Sequence, residues 1–414
     1  MPHPSPPPAS SSPLSSRSSL PCLIVPTASG CTEFAVKEGV HVGTRQTSAD
    51  FLASVDVLLF DCDGVLWHGD KLLPGVRALL DAFAGEPGNE QAADGAERVR
   101  KKIYFLTNNS TKTRKGFLKK LEALGVRAEE DQVVCSAVVA AWYLQQRRAA
   151  RAKATEPATA RELVYVIGEA GLVEELQNHG FKTIGGPSAS SSCRSVCAGA
   201  RGGGRGAGVS AGRGRNRKSV SACVFSRDVG AVVVGLDRSF NYYKLQYAQL
   251  CINENKAFFL ATNRDPLGNF TPTQVWAGAG AMVAAVEAAT ATKPEVAGKP
   301  SRILREYLLR HILGDLPLDR VCLVGDRLDT DIRFAERLGV RSVLTLTGVT
   351  DPALLLKNIE MRHAATQAAN GAADGAAGKK KRRLTTAAPE ETDESEPPYV
   401  VPDFVIASAA QLVQ

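Results

Sequence analysis

Several features that mark other classes of protein are missing from this chain of 414 residues. No run of apolar residues approaches the roughly 18 that a membrane span needs, so a membrane protein is excluded. The nine cysteines are irregularly spaced and form no CxxC pair, so neither a zinc site nor a disulfide framework is indicated. Several of them lie inside apolar runs, and a reducing intracellular compartment is therefore expected.

The composition that is present favours folded domains. Hydrophobic residues make up 44% of the chain, which excludes a wholly disordered protein. At roughly 100 to 200 residues per domain, the length allows two or three domains. The formal net charge is +7, but six of the positive charges lie in one acid-free, Gly-rich stretch at 201–218. The remainder is nearly neutral, so nucleic acid is not the expected partner of the folded body.

Three segments have compositions that do not favour a packed core. Residues 1–48 are rich in Ser and Pro, which predicts a disordered tail, with an organellar transit peptide as the alternative. Residues 188–221 are rich in Ser, Gly and Arg, and residues 361–398 are Ala-rich and then highly charged. Both are predicted to be disordered surface insertions because neither can bury an apolar face.

From Val55 onwards, short apolar runs alternate with amphipathic helical patterns. Val57–Phe60 is typical of a strand buried on both faces, whereas Gly116–Leu124 and Tyr243–Cys251 have apolar residues at i, i+3 and i+4. This alternation predicts an α/β chain with mainly parallel sheets. Further strands are predicted at Ile103–Leu106, Leu163–Ile167, Ala231–Val234, Ala257–Leu260, Arg320–Val324, Val343–Leu346 and Phe404–Ile406.

Two acids, Asp61 and Asp63, directly follow the first predicted strand. Residues i and i+2 of a strand project to the same side, and two buried carboxylates need a cation or a shared proton. Oxygen ligands of this kind suit Mg²⁺, and the carboxyl ends of parallel strands are where open α/β sheets bind ligands. Gly64 permits a tight turn after them. A solvated acidic turn is the alternative for this motif alone.

Three further polar motifs follow along the chain. The segment Thr107-Asn108-Asn109-Ser110 offers hydroxyl, amide and backbone N–H groups that suit phosphate oxygens, with ordinary helix capping as the alternative. Lys299 precedes a predicted helix and can offset phosphate charge, unless it is a surface lysine. Asp326 follows a predicted strand and can join Asp61 on a metal ion. Asp331 can then orient Lys299 or a metal-bound water.

The order of these four motifs, Asp-x-Asp, Thr-Asn, Lys and Gly-Asp-x4-Asp, resembles the haloacid dehalogenase superfamily of phosphatases. The resemblance implies that Asp61 is the nucleophile and that Asp63 is the general acid and then the general base. It also implies Mg²⁺ held by Asp61, the backbone carbonyl of Asp63 and Asp326. Thr107 and Lys299 would hold the phosphoryl oxygens. The implied core is a Rossmann-like, doubly wound parallel sheet.

The long interval between Thr107 and Lys299 resembles that of superfamily members with an α/β cap domain inserted between the second and third motifs. The predicted core comprises residues 49–135 and 276–414, and the predicted cap comprises residues 136–275. A narrower resemblance, to the phosphoglycolate phosphatase and 4-nitrophenylphosphatase branch and most closely to its plant-type phosphoglycolate phosphatases, is carried by five runs. They are Val232–Arg238, Asn241–Tyr247, Ala261–Asp265, Trp276–Gly280 and Gly298–Ser301.

This branch implies a Mg²⁺-dependent phosphatase for small phosphomonoesters, with 2-phosphoglycolate as the favoured substrate. Pyridoxal phosphate, a glycerol phosphate and a phosphoprotein are the alternatives. Arg238 and Ser239 lie in the loop that resembles the family's substrate-specificity loop. Arg238 suits the carboxylate of phosphoglycolate through its paired donors, with a solvated surface arginine as the alternative.

The implied partner is a small phosphorylated metabolite, without membrane association, and a homodimer through the cap is left open. The expected compartment is the cytoplasm, or a plastid if residues 1–48 are a transit peptide. A different class of function, RNA binding through the Gly- and Arg-rich stretch at 201–218, is a distant alternative. That stretch lacks the interleaved aromatic residues on which bases stack.

Overall fold

The computed structural model describes residues 51–84, 101–153, 161–187, 223–268, 274–374 and 399–413, together with the backbone of three strands within 22–42. These residues form two parallel sheets with helices between and around them, which confirms the predicted α/β class. The predicted insertion at 188–221 lies outside the described residues. No helix in the described part of the chain is long and apolar enough to cross a membrane.

The strands and helices are numbered here in chain order. The strands are β1 (Cys22–Thr27), β2 (Gly30–Ala35), β3 (His41–Val42), β4 (Val57–Phe60), β5 (Trp67–His68), β6 (Lys71–Leu72), β7 (Lys102–Thr107), β8 (Val133–Cys135), β9 (Leu163–Ile167), β10 (Lys182–Gly185), β11 (Val229–Val234), β12 (Phe258–Ala261), β13 (Leu267–Gly268), β14 (Trp276–Ala277), β15 (Glu295–Val296), β16 (Val321–Gly325), β17 (Arg341–Thr345) and β18 (Phe404–Ile406). The helices are α1 (Val76–Ala84), α2 (Arg114–Ala123), α3 (Ser136–Lys153), α4 (Ala170–Asn178), α5 (Tyr242–Asn253), α6 (Ala279–Thr290), α7 (Arg302–Leu308), α8 (Arg333–Leu338) and α9 (Pro352–Asp374).

The larger sheet, as far as the structure describes it, has seven parallel strands in the order β3-β18-β17-β16-β4-β7-β8. Strand β4 lies inside this sheet, between β16 and β7, and all four of its residues are buried. Phe60 pairs with Val324 on one side and with Phe105 on the other. This register brings the residues that follow the three strands to one edge, where the predicted motifs meet.

The smaller sheet belongs to the chain segment between Thr107 and Lys299. Its described strands are all parallel and run in the order β10-β9-β11-β12-β15. Helices α5 and α6 cover one face, where Tyr165, Val232, Tyr247 and Val286 are buried in one apolar cluster. Because β15 (Glu295–Val296) pairs with β12, the predicted cap boundary at residue 275 falls too early in the chain.

The two sheets are joined by close packing as well as by the chain. One buried apolar cluster includes Leu106 of the larger sheet, Val138 of α3 and Val233 of the smaller sheet. Gly171, at the start of α4, has no room for a side chain, since a Cβ there would lie 2.4 Å from the Cα of Lys112. The backbone of the smaller domain therefore rests directly on the loop that follows β7.

Three structural features differ from the expectations drawn from the sequence. The backbone of β1, β2 and β3 lies within residues 1–48, which were predicted to be a disordered or transit-like tail, and β3 pairs with β18. Helix α9 continues to Asp374 and therefore enters the predicted disordered insertion at 361–398. Cys223 is disulfide-bonded, whereas the sequence indicated no disulfide framework.

A buried ion pair holds the loop that begins at Leu236. The ammonium group of Lys244 lies 2.6 Å from Oδ2 of Asp237, and both side chains are fully buried. The other carboxylate oxygen of Asp237 accepts a hydrogen bond from the backbone N–H of Ser239 at 2.8 Å. The pair thereby ties α5 to the loop that the sequence analysis singled out for substrate recognition.

Substituting Lys244→Met should destabilise the protein by about 3–5 kcal/mol, because it leaves the Asp237 carboxylate buried without its positively charged partner. Equilibrium unfolding in urea measures this difference. The matched control is Lys182→Met, which removes an exposed pair with Glu162 and should change stability by less than about 1 kcal/mol. Equal effects of the two substitutions would contradict the importance of the buried pair.

Candidate active site

Asp61 begins the site because it directly continues the central strand. Its backbone N–H donates to the carbonyl of Val324 at 2.8 Å, and its side chain is largely buried. Oδ1 of Asp61 lies 2.5 Å from the ammonium group of Lys299. Burial raises the pKa of Asp61, and although Lys299 opposes this effect, the pKa stays well above its ordinary value. The carboxylate thus depends on neighbouring positive charge to remain ionised.

Lys299 supplies that charge from a buried position. Its ammonium group also lies 2.7 Å from Oδ1 of Asp331 and donates to the carbonyl of Leu106 at 3.1 Å. Burial lowers the pKa of Lys299, but the charges of Asp331 and Asp61 outweigh burial and raise it above its ordinary value. The amine is therefore held as a cation, and Asp331 orients it as the sequence analysis predicted it would.

The carboxylate of Asp326 packs so closely against the backbone that two neighbouring positions have no room for a side chain. Oδ2 accepts a hydrogen bond from the N–H of Val349 at 2.7 Å. A Cβ on Gly64 or on Gly348 would lie 2.6 Å or 1.8 Å from this same oxygen, so both positions require glycine. Gly64 also has a φ of +91°, which favours glycine further. The carboxylate is held in place by backbone on both sides.

The acids at this edge of the sheet fit a divalent metal ion. Carboxylate oxygens of Asp61, Asp326 and Asp331 lie within 4.8 Å of one another. Oδ1 of Asp326 is buried and has no hydrogen-bond partner among the described residues. Burial raises the pKa of Asp326 to about 7, and the nearby Asp331 adds to that effect. A hard cation such as Mg²⁺ would satisfy the free oxygen and offset the concentrated negative charge.

Residues 107–110 form a compact turn that lines the site. The hydroxyl of Thr107 accepts the N–H of Asn109 at 3.1 Å, and Oδ1 of Asn109 accepts the N–H of Thr111 at 2.9 Å. The following helix α2 is capped by Thr113, whose hydroxyl accepts the N–H of Gly116. The alternative that residues 107–110 are an ordinary helix cap is therefore wrong.

The side chain of Asn108 positions Lys299. Its Oδ1 accepts the backbone N–H of Lys299 at 2.7 Å, and its amide nitrogen donates to the Lys299 carbonyl at 3.2 Å. The same nitrogen donates to both carboxylate oxygens of Asp265 at 3.1 and 3.2 Å. Asn108, predicted to bind substrate, lines the cavity, and its side chain also connects β7 to the segment that carries Lys299.

These groups surround one cavity of about 380 Å³, within the size range of small-molecule sites. The larger domain contributes its acids, Lys299 and the Thr107–Thr111 turn. The smaller domain contributes Leu236, Asn263, Asp265 and the apolar side chains of Leu267 and Val275. A small molecule in this cavity would contact both domains at once.

The structure does not bring Arg238 and Ser239 to the cavity wall. The guanidinium group of Arg238 makes two hydrogen bonds to the carboxylate of Glu169, at 2.9 and 3.1 Å, while its side chain is 73% exposed. Hydrogen bonding from Arg238 lowers the pKa of Glu169. The carboxylate that Arg238 binds here belongs to the protein itself, which the sequence pattern did not reveal.

Two charged residues on the cavity wall were missed as candidates. Arg327 lines the cavity and is paired with Asp329 at 2.7 Å. Asp265 is buried, and burial raises its pKa to about 6, although Arg327 and the Asn108 amide oppose that effect. Asp265 lies four residues beyond the end of β12, whereas Asp61 directly follows β4, so the rule about the residue after a strand did not single it out.

Comparison with known proteins agrees with this geometry. A family model described as haloacid dehalogenase-like hydrolase matches residues 58–182, and a second model of the same superfamily matches residues 296–372. Phosphoglycolate phosphatase 1A, a chloroplastic protein of Arabidopsis thaliana, is 39% identical over 311 residues, which span 75% of this chain and 74% of that protein. The chain belongs to the haloacid dehalogenase-like hydrolases. It is a phosphoric monoester hydrolase of that family, as the resemblance implied.

Other members of the family are similar along most of the chain. Human glycerol-3-phosphate phosphatase is 35% identical over 309 residues, which span 72% of this chain and 81% of that protein. The crystal structure of a 4-nitrophenylphosphatase from Thermotoga maritima has a TM-score of 0.56 and 22% identity, and the match covers 88% of this chain and 99% of that one. This likeness supports the predicted core with a second α/β domain.

The pKa of Asp326 predicts a pH-dependent stability. Because the folded-state pKa of about 7 exceeds the ordinary value of 3.8, the folded protein binds more protons than the unfolded chain between those values. Stability of the metal-free protein should therefore fall as pH rises from about 4 to about 7. Asp326→Asn removes this loss, so in a chelator at pH 8 the variant should be more stable than the wild type, on the order of 3 kcal/mol.

Urea unfolding at pH 4, 6 and 8 measures this difference, which should shrink toward zero at pH 4. Saturating Mg²⁺ provides the control, since an ion that binds the folded wild type more tightly than the variant should reduce or reverse the advantage of the variant. A difference that is the same at all three pH values would show that Asp326 is not held with a raised pKa.

Proposed function

We propose that this protein is a Mg²⁺-dependent phosphatase that hydrolyses small phosphomonoesters through an aspartyl-phosphate intermediate, with 2-phosphoglycolate as the favoured substrate. The observation that carries the proposal is the contact between Asp61, Lys299 and Asp331 next to the unpartnered oxygen of Asp326. A nucleophilic carboxylate, a fixed cation and a free metal-ligand oxygen are the three elements that phosphoryl transfer needs at one point.

In this proposal, Asp61, Asp326 and the main-chain carbonyl of Asp63 hold Mg²⁺. The bound ion would supply positive charge to the phosphoryl oxygens and to the attacking carboxylate. Lys299 contributes a second positive charge from its buried position. The Lys299 ammonium forms ion pairs with Asp61 and Asp331. Its positive charge is therefore already fixed at the place where negative charge develops during transfer.

In the proposed reaction, Asp61 and Asp63 have the roles that the family resemblance implies. A carboxylate oxygen of Asp61 attacks phosphorus as the bond to the ester oxygen breaks, and Asp63 gives a proton to that oxygen. Asp63 then takes a proton from the water that attacks the aspartyl phosphate, releasing inorganic phosphate and restoring Asp61. Thr107 lines the cavity, and in this proposal its hydroxyl donates to a phosphoryl oxygen.

The substrate preference rests on charge and on relatives. Among the described residues that line the cavity, the cations are Lys299 and Arg327, and Lys299 is engaged by two carboxylates. Within the described part of the chain, Arg327 is paired with Asp329 alone and lies on the cavity wall, which Arg238 does not, so we propose Arg327 in place of Arg238 as the partner of the phosphoglycolate carboxylate. The similarity to phosphoglycolate phosphatase 1A supports the same choice.

A glycerol phosphate is the second candidate. Asp265 presents a buried carboxylate to the cavity, and a carboxylate accepts hydrogen bonds from hydroxyl groups whereas it repels a second carboxylate. The similarity to human glycerol-3-phosphate phosphatase supports this alternative. A panel of both substrates, assayed by phosphate release with Mg²⁺ and with a chelator, separates the two candidates and tests the metal requirement.

Asp61→Asn should abolish phosphate release, because an amide is a poor nucleophile for phosphorus. Rapid acid quenching of the wild type during turnover, followed by mass spectrometry, should find a phosphoryl group on the peptide that contains Asp61. The variant should show none while it keeps a wild-type circular dichroism spectrum. Wild-type turnover by Asp61→Asn would remove Asp61 as the nucleophile.

Arg327→Gln should raise KM for 2-phosphoglycolate by roughly tenfold or more, since a hydrogen bond to a charged group contributes about 1.5–3 kcal/mol. It should change KM for 4-nitrophenyl phosphate much less, because that substrate has no carboxylate. Arg238→Gln is the matched control, and its KM ratio between the two substrates should equal that of the wild type. If only Arg238→Gln changed the ratio of KM between the two substrates, Arg238 would be the residue that binds the substrate carboxylate, as predicted from the sequence.

A further inference from the structure

The hairpin of β5 and β6 carries a tryptophan that contacts the proposed general acid. The indole N–H of Trp67 donates to Oδ1 of Asp63 at 2.8 Å. The ammonium group of Lys120 lies 3.9 Å from the same oxygen and 4.4 Å from the centre of the Trp67 ring. Among the described residues, no hydrogen bond to Oδ2 of Asp63 is made. The two carboxylate oxygens therefore have different surroundings.

Trp67 is held rigidly enough to define the position of Asp63. Its side chain is among the largest fully buried ones in the described chain. The backbone carbonyl of Trp67 accepts the N–H of Gly64 at 2.9 Å, and the backbone N–H of Trp67 donates to the carbonyl of Cys62 at 3.3 Å. The tryptophan is thus fastened to the same turn that carries Asp61 and Asp63. By contrast, the Asp63 side chain is 41% exposed and depends on such contacts for a single orientation.

The chemistry of the indole group decides which oxygen carries the proton. An indole N–H is a donor only, so it can bond Oδ1 when Asp63 is ionised and also when the proton is on Oδ2. A proton on Oδ1 would compete with that hydrogen bond and would face the Lys120 ammonium. The arrangement favours a proton on Oδ2, the oxygen that accepts no hydrogen bond from the described residues, on a side chain that lines the cavity.

We propose that Trp67 is a positioning residue for the general acid, holding Oδ1 of Asp63 so that Oδ2 delivers the proton to the leaving group. The inference rests on the proposed function. As the bond from phosphorus to the ester oxygen breaks and the bond from Asp61 to phosphorus forms, the proton on Oδ2 passes to the ester oxygen, which leaves as an alcohol. Asp63 remains as a carboxylate that still accepts the Trp67 N–H.

The test uses the dependence of this step on the leaving group. An alkoxide leaves poorly without a proton, whereas 4-nitrophenolate is a stable anion and needs little help from an acid. Trp67→Phe keeps the aromatic ring and removes the N–H donor. With saturating Mg²⁺, it should lower kcat/KM for an alkyl phosphate, either 2-phosphoglycolate or glycerol 3-phosphate, about tenfold more than it lowers kcat/KM for 4-nitrophenyl phosphate.

Two comparisons separate positioning from packing. Trp142→Phe is the matched control, since Trp142 is a buried tryptophan on α3 that packs against Tyr307, and its substitution should leave the ratio between the two substrates unchanged. In an Asp63→Asn background, Trp67→Phe should cause no further change in that ratio, because the group through which it acts is already gone.

The outcomes distinguish the inference from the function on which it rests. The positioning role would be overturned if Trp67→Phe left the ratio of kcat/KM between the alkyl phosphate and 4-nitrophenyl phosphate unchanged. It would also be overturned if Trp67→Phe changed this ratio equally in the Asp63→Asn background. Neither result would affect the proposed phosphatase activity. A wild type that releases phosphate from none of these esters would overturn the proposed function itself. A larger loss for the alkyl phosphate that disappears with Asp63→Asn is the result that supports the inference.

Discussion

The site depends on one electrostatic constraint, which is that three carboxylates are buried together at the edge of a sheet. Asp61, Asp326 and Asp331 repel one another, and burial alone would favour their neutral forms. Lys299 relieves part of this repulsion by contacting Asp61 and Asp331. The hydrogen bonds of Asn108 to the backbone of Lys299 serve the same end, because they fix the one chain segment that delivers the amine.

A second constraint is steric, since the charged groups can meet only where backbone approaches backbone. Gly64 and Gly348 leave room for the carboxylate of Asp326, and Gly171 lets the smaller domain rest on the loop after β7. The smaller domain then supplies apolar walls to a cavity whose opposite side is ionic. Excluding water from such a site strengthens each electrostatic contact inside it.

The sequence predicted well the strands and the acids that meet at the sheet edge, because both follow local rules. A buried parallel strand is a short apolar run, and the residue after it reaches the ligand-binding edge, so Asp61 and Asp326 were found from position alone. Arg238 was assigned to substrate, whereas in the structure it pairs with Glu169. No local sequence pattern predicts that pair, because the two residues are far apart in the chain. The role of Trp67 was missed for a related reason, since an apolar run predicts burial but not the direction of an N–H group. The boundary at residue 275 failed because β15 is only two residues long.

The strand order also bears on how the chain reaches its native state during synthesis. Strand β4 emerges early, yet one of its two neighbours, β16, follows the entire smaller domain. The smaller sheet, in contrast, is built from strands that lie between Leu163 and Val296 and can pair as soon as they appear. Until Val321–Gly325 is available, one edge of β4 stays unpaired and apolar, which exposes the nascent chain to association with other chains. The strand that leads into Asp61 is therefore among the last to be enclosed.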